Sequence, residues 1–200
     1  GAALGAEVCG VDLSADIDDS TFSRIVDFWN EYEVVFFRDQ KLTPEQHIRF
    51  SRRLGELELH PRSDFCRPGY PELLVVSNIV ENGKPIGASD AGLVWHSDSC
   101  CMKVPSRGSL LYARTVPQKD GVALGDTLFT SVTRAYDALD ADMKSRLKGL
   151  RAVNSYAKGY GHAGRAAPLN RQTRPRRGSK AAPRLAWGSA YPYAYTHLRQ

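Results

Sequence analysis

No acidic residue occurs after Asp142 in this 200-residue chain, although thirteen lysines and arginines do. All 22 acidic residues and 14 of the 27 basic ones lie up to Asp142, a net charge of −8 for that part. A shift of this size marks two stretches of different character. There is also no run of eighteen apolar residues and no charged-then-apolar leader, so neither a membrane span nor a secretory signal is expected. Cysteine is scarce, with four residues at 9, 66, 100 and 101 and no C-x-x-C spacing, which fits neither a zinc site nor a disulfide framework. Reduced thiols in a cytoplasm are the simplest expectation.

What is present is ordinary for a soluble globular domain: 42% hydrophobic and 24% charged residues, in a length sufficient for one core. Asp18, Asp19 and Ser20 offer capping oxygens, and Phe22, Ile25, Val26, Trp29 and Tyr32 follow at helical spacing, which predicts an amphipathic helix. Val34-Val35-Phe36-Phe37, β-branched and then aromatic, predicts a short buried strand. Thr43-Pro44-Glu45-Gln46 joins a capping threonine, a proline at the first helical position and a glutamine placed to bond back to the cap. With Gly55 at the far end, a second helix of about eleven residues is predicted. Beyond Gly55 the period falls to two. Leu57 and Leu59, then Leu73 to Val76, read as strands split by a loop carrying Pro61, Pro68, Gly69 and Pro71. Residues 81–93 form a predicted loop of a length more often functional than decorative, with a lid as its expected role. Leu110 to Ala113 and Thr127 to Phe129 are predicted strands, and apolar spacing predicts two helices over 131–139 and 140–150.

His96 and Asp98 stand two residues apart within Val94-Trp95-His96-Ser97-Asp98-Ser99. In an extended strand such residues share a face, so an imidazole and a carboxylate would lie side by side. They are two thirds of the ligand set of a non-haem iron(II) oxygenase, which keeps positions open and needs a second histidine from elsewhere. An isolated His-x-Asp is more often plain structure than a metal site, so the surroundings decide.

Those surroundings are Leu110-Leu111-Tyr112-Ala113, Val116-Pro117 and Gly125-Asp126-Thr127-Leu128-Phe129 downstream. Upstream stand Gly5 to Leu13, Val34 to Gln40, Leu42 to Gln46 and Leu54 to Leu57. In this order they resemble the iron(II)- and 2-oxoglutarate-dependent dioxygenases related to taurine dioxygenase and 2,4-dichlorophenoxyacetate dioxygenase, over residues 1–156. The resemblance implies an α+β fold, a double-stranded β-helix (jelly roll, clavaminate synthase-like) with flanking helices, incomplete at the C-terminus. It implies Fe(II) held by His96 and Asp98, 2-oxoglutarate as cosubstrate contacted by Thr127, and oxygen as co-reactant. The implied substrate is a small anionic compound, a sulfonate such as taurine or an aryloxyalkanoate, touched by His60. Two departures stand out. The sequence after Pro61 does not follow the taurine pattern, so His60 reads equally as a surface histidine at a strand end. Only Gly125 represents the usual glycine pair before Asp126, and Thr127 also suits an ordinary strand.

Residues 157–200 carry two readings. Arg171, Arg174, Arg176, Arg177, Lys180 and Arg184, near Trp187 and Tyr191 to Tyr195, could form a basic arm for nucleic acid. The preferred reading is an aberrant tail, out of frame with the family and weakly structured, because alanine, proline, arginine and tyrosine recur there without period. The histidines available as a third ligand, His162 and His197, do not match the family spacing. The chain thus reads as a dioxygenase family member, with a catalytically incomplete product of a disrupted gene as the alternative and a nucleic-acid binder last. A homo-oligomer is compatible with everything above, and the substrate is left open.

Overall fold

The computed structural model describes residues 4–60, 63–89, 91 and 95–155, together with the backbone of 193–199. Among these, helices and strands are mixed, and no helix is long and apolar enough to cross a membrane.

The N-terminal layer forms where local signals are strongest. Strand β1 (Ala6–Glu7) runs parallel to β2 (Val35–Phe36), and helix α1 (Asp19–Tyr32) connects them. Asp18 caps α1 by accepting the Thr21 N–H at 2.9 Å and the Ser20 hydroxyl at 2.6 Å, bonds that hold its carboxyl well below the usual range. The helix stops at Glu33, whose N–H still returns to the Trp29 carbonyl while its left-handed φ of 64° turns the following chain out of the helix. Helix α2 (Pro44–Leu54) has the predicted length and a complete capping box between Thr43 and Gln46. Ile25 of α1 and Phe50 of α2 meet Leu13 in the core, where Phe50 takes Phe22 and Phe37 edge-on at 6.1 and 6.2 Å. The expected buried strand over 34–37 is corrected. Only Val35 and Phe36 pair, and Phe36 lies exposed beneath the Arg38 guanidinium.

The sheet follows. Its strands are β3 (Leu57–Glu58), β4 (Cys66–Arg67), β5 (Tyr70–Val76), β8 (Ser106–Ala113) and β11 (Tyr193–Arg199). Between β5 and β8 a small hairpin, β6 (Val80–Glu81) with β7 (Lys84–Pro85), occupies part of the predicted loop over 81–93, whose residues 90 and 92–94 lie outside those described. A second hairpin, β9 (Gln118–Lys119) with β10 (Val122–Ala123), follows β8. All pairings in the main sheet are antiparallel: β8 flanks β11 on one side, β5 and β3 share its other side, and β4 closes on β5. Helix α2 packs across β5 and β11.

Strand β11 corrects the expectation of a weakly structured tail for 193–199; residues 164–192 lie outside the description. The predicted strand over 127–129 is also corrected, because these residues are irregular and Leu128 and Phe129 are exposed. Helices α3 (Val132–Asp137) and α4 (Ala141–Leu147) are shorter than predicted. The start of α3 is tied to the end of α1, since the Ser131 hydroxyl and Arg134 both donate to Glu33.

Register matters at one point in β8. A bulge at Arg107 sets Gly108 opposite Leu198 and Ser106 opposite Arg199, so Ser106 faces the same side as Ser109. On the other side Gly108 makes room for α1: a Cβ there would stand 2.3 Å from the Trp29 ring.

Candidate metal centre at His96 and Asp98

The motif is not a strand. Trp95 to Ser97 are irregular, and the chain turns at Asp98, where Ser99 takes a left-handed φ of 50° and its carbonyl accepts the Met102 N–H at 2.9 Å. The predicted neighbourhood nevertheless forms. His96 Nε2 lies 3.2 Å from Asp98 Oδ1, with both side chains partly open to solvent.

Side chains of β8 and β3 brace this turn from below. Ser109 of β8 donates its hydroxyl to Asp98 Oδ2 at 2.7 Å, leaving Oδ1 toward the imidazole. Ser99 and Ser106 donate to Oε2 of Glu58 on β3, at 3.2 and 2.9 Å. Glu58 is only 8% exposed, and two hydroxyl donors are what a carboxylate needs to be carried inside. One row crosses the sheet here. Glu58, position 197 and Ser109 stand directly opposite one another on β3, β11 and β8, and residues so paired share a face.

The other predicted residues are distributed as follows. His60 follows β3, two residues past Glu58, and is half-buried. Thr127 lies exposed in the irregular segment after β10 and shares no hydrogen bond with the motif. His162 is outside the described residues. His197, set aside on spacing, falls by backbone register in the same row as Ser109. Sequence reasoning missed Glu58, Ser99, Ser106 and Ser109. The one available signal was a glutamate between two leucines in Leu57-Glu58-Leu59. There the apolar alternation suggested Leu59 inside and Glu58 outside, yet Leu59 is 60% exposed.

The donor set suits a first-row divalent ion. An imidazole nitrogen and a carboxylate oxygen already converge, and the carboxylate is oriented by a hydroxyl, as ligating carboxylates require. These two side chains fit two positions of such an ion. Among the described residues no third histidine, cysteine, aspartate or glutamate joins them.

Comparison with known proteins bears on the family rather than on these contacts. The profile of the family described as "Taurine catabolism dioxygenase TauD, TfdA family" matches residues 1–185, past the last of the motifs quoted above. The chain is 36% identical over 163 residues to the (S)-phenoxypropionate/alpha-ketoglutarate-dioxygenase of Sphingobium herbicidovorans, covering 77% of this chain and 51% of that protein. It is 35% identical to pentalenolactone F synthase of Streptomyces avermitilis, covering 80% and 52%. Among solved structures, AAD-2 in complex with Mn(II) and N-oxalylglycine superposes with a TM-score of 0.63 at 25% identity, over 86% of this chain and 60% of that one. The chain spans about half the length of the curated relatives it matches.

Proposed function

The chain belongs to the taurine catabolism dioxygenase TauD, TfdA family, and we propose that its His96–Asp98 motif is the iron(II) site of a 2-oxoglutarate-dependent dioxygenase acting on a small organic acid. The observation that carries this reading is the 3.2 Å pairing of His96 Nε2 with Asp98 Oδ1, braced by Ser109, in a chain of this family. When bound with 2-oxoglutarate and oxygen, iron(II) supplies the oxidising chemistry: one oxygen atom leaves in succinate as carbon dioxide is lost, and the other enters the substrate. The chain's own residues hold and orient. His96 and Asp98 would be the metal ligands, and Ser109 would fix which carboxylate oxygen faces the ion. Thr127 would hydrogen-bond the distal carboxylate of 2-oxoglutarate and His60 would meet the anionic end of the substrate, both by family resemblance. The sheet would be the first part of a double-stranded β-helix. An aryloxyalkanoate or a sulfonate is the substrate class, supported by relatives named for phenoxypropionate, 2,4-dichlorophenoxyacetate and sulfonate.

A second reading concerns turnover by the chain as it stands, and it is favoured by the two-donor set among the described residues. Two protein ligands hold iron(II) weakly, since this ion lies low in the first-row affinity order. Supplied with iron(II), 2-oxoglutarate, ascorbate and oxygen, the purified chain is expected to release little or no succinate. Fusing the C-terminal half of a relative is expected to give release that disappears in Asp98→Ala. Release by the chain alone that is lost in both Asp98→Ala and His197→Ala would overturn the second reading and make His197 the third ligand. Release from the fusion that persists in Asp98→Ala would overturn the first.

A further inference from the structure

A cleft of about 50 Å³ opens between the first turn of α2 and strand β8, with His47, Leu73, Tyr112, Arg67 and Arg114 in its lining. Ser109, which touches Asp98, and Tyr112 are three residues apart on β8 and so face opposite ways. The cleft therefore lies on the far side of the sheet from the metal motif.

His47 is 3% exposed, and its Nδ1 is buried with no hydrogen-bond partner. Leaving such an atom unmet is unfavourable, so a guest in the cleft is the natural partner. Tyr112 is committed elsewhere. Its hydroxyl accepts the Leu42 N–H at 3.1 Å and donates to the Gln40 carbonyl at 3.2 Å, while its ring meets the imidazole edge-on at 5.9 Å.

Two guanidiniums line the cleft, and among the described residues the one carboxylate set against either is Glu45, which feels Arg67 at a distance and is already engaged by Tyr70. Among the described residues neither Arg67 nor Arg114 enters an ion pair. Arg67 lies over the Tyr70 ring at 5.8 Å. One water needs only about 10–15 Å³ of such space, so the cleft holds more than a single water. Guanidinium forks match the paired oxygens of a planar oxyanion, and the volume admits only a few heavy atoms.

We propose that this cleft is a binding site for a small planar oxyanion, a carboxylate or carbonate, clamped by Arg67 and Arg114 and accepting the Nδ1–H of His47. A neutral imidazole carries one N–H, and the anion selects the tautomer that places it on Nδ1.

The test uses the full chain titrated with sodium acetate and, separately, sodium bicarbonate, against sodium chloride at matched ionic strength. It follows the melting temperature and the His47 ring signals by NMR. The expected result is a saturable response to one or both oxyanions beyond that of chloride, with the His47 signals moving in step. Arg67→Gln and Arg114→Gln should each weaken it about tenfold, the loss of one charge-assisted contact. Both arginines reach solvent, so these variants keep the fold. Acetate against bicarbonate then tells which oxyanion the site takes. A response no larger than that of chloride, or one unchanged in both variants, would overturn the proposal and leave the cleft to water.

Discussion

Burial drives the titration of His47, holding its imidazole down at about 4, against an ordinary value of 6.5. The unfolded chain therefore takes up the proton more readily than the folded one. Stability from this residue is complete above pH 6.5 and is lost as the pH falls toward 4, by roughly 3 kcal/mol in all. Urea unfolding at pH 7 and pH 4.5, in buffers free of small oxyanions, should show a larger acid loss for the wild-type chain than for His47→Leu. Equal losses would mean that other groups carry the pH dependence. Ser109 offers a second test at this scale. Removing its hydroxyl in Ser109→Ala frees Asp98 Oδ2, and metal affinity should fall about tenfold, the lower end for a residue that orients a ligand. An unchanged affinity would show that Asp98 holds its orientation without it. The closeness of His96 and Asp98 was expected from a strand spacing of two, yet the segment is irregular and turns at Asp98, so the two side chains meet by a different local path. Glu58 was not legible. Its burial depends on Ser99 and Ser106, 41 and 48 residues away, and no local pattern announces them.

Elements with their own signals came out as read, and those that need a distant partner did not. Helix α2 shows the first kind, because the Thr43 and Gln46 cap and the closing Gly55 all act within a turn or two of the helix itself. Thr43→Ala should lower stability by about 1 kcal/mol, measured as a drop in urea midpoint with unchanged slope. No drop would show that the cap contributes nothing to α2 in its packed setting. Strands β2 and β11 and the segment 127–129 show the second kind. Apolar character suggested a buried strand at 34–37 and a strand at 127–129, but pairing edges decide the outcome, and only Val35 and Phe36 find one. The reverse holds at 193–199, where Tyr193, Tyr195 and Thr196 carry a short strand-like pattern that the arginine- and proline-rich residues before it obscured, and three neighbours pair with that backbone. Likewise the bulge at Arg107 is invisible locally, although it turns Ser106 toward Glu58.

At the scale of the whole molecule, two faces of one sheet carry different chemistry. One side packs α1 and α2 over the core and holds the His47 cleft; the other carries Ser109 and Asp98 beneath His96. Family membership was legible because several motifs follow in one order, whereas each alone is weak. The central claim is that His96 and Asp98 hold a divalent ion in this chain. Its most direct test is a titration with Mn(II), following the free ion by EPR, for the wild type, Asp98→Ala and His96→Ala. We predict one Mn(II) per wild-type chain and no comparable binding in either variant. Equal binding in Asp98→Ala, or none in the wild type, would contradict the claim.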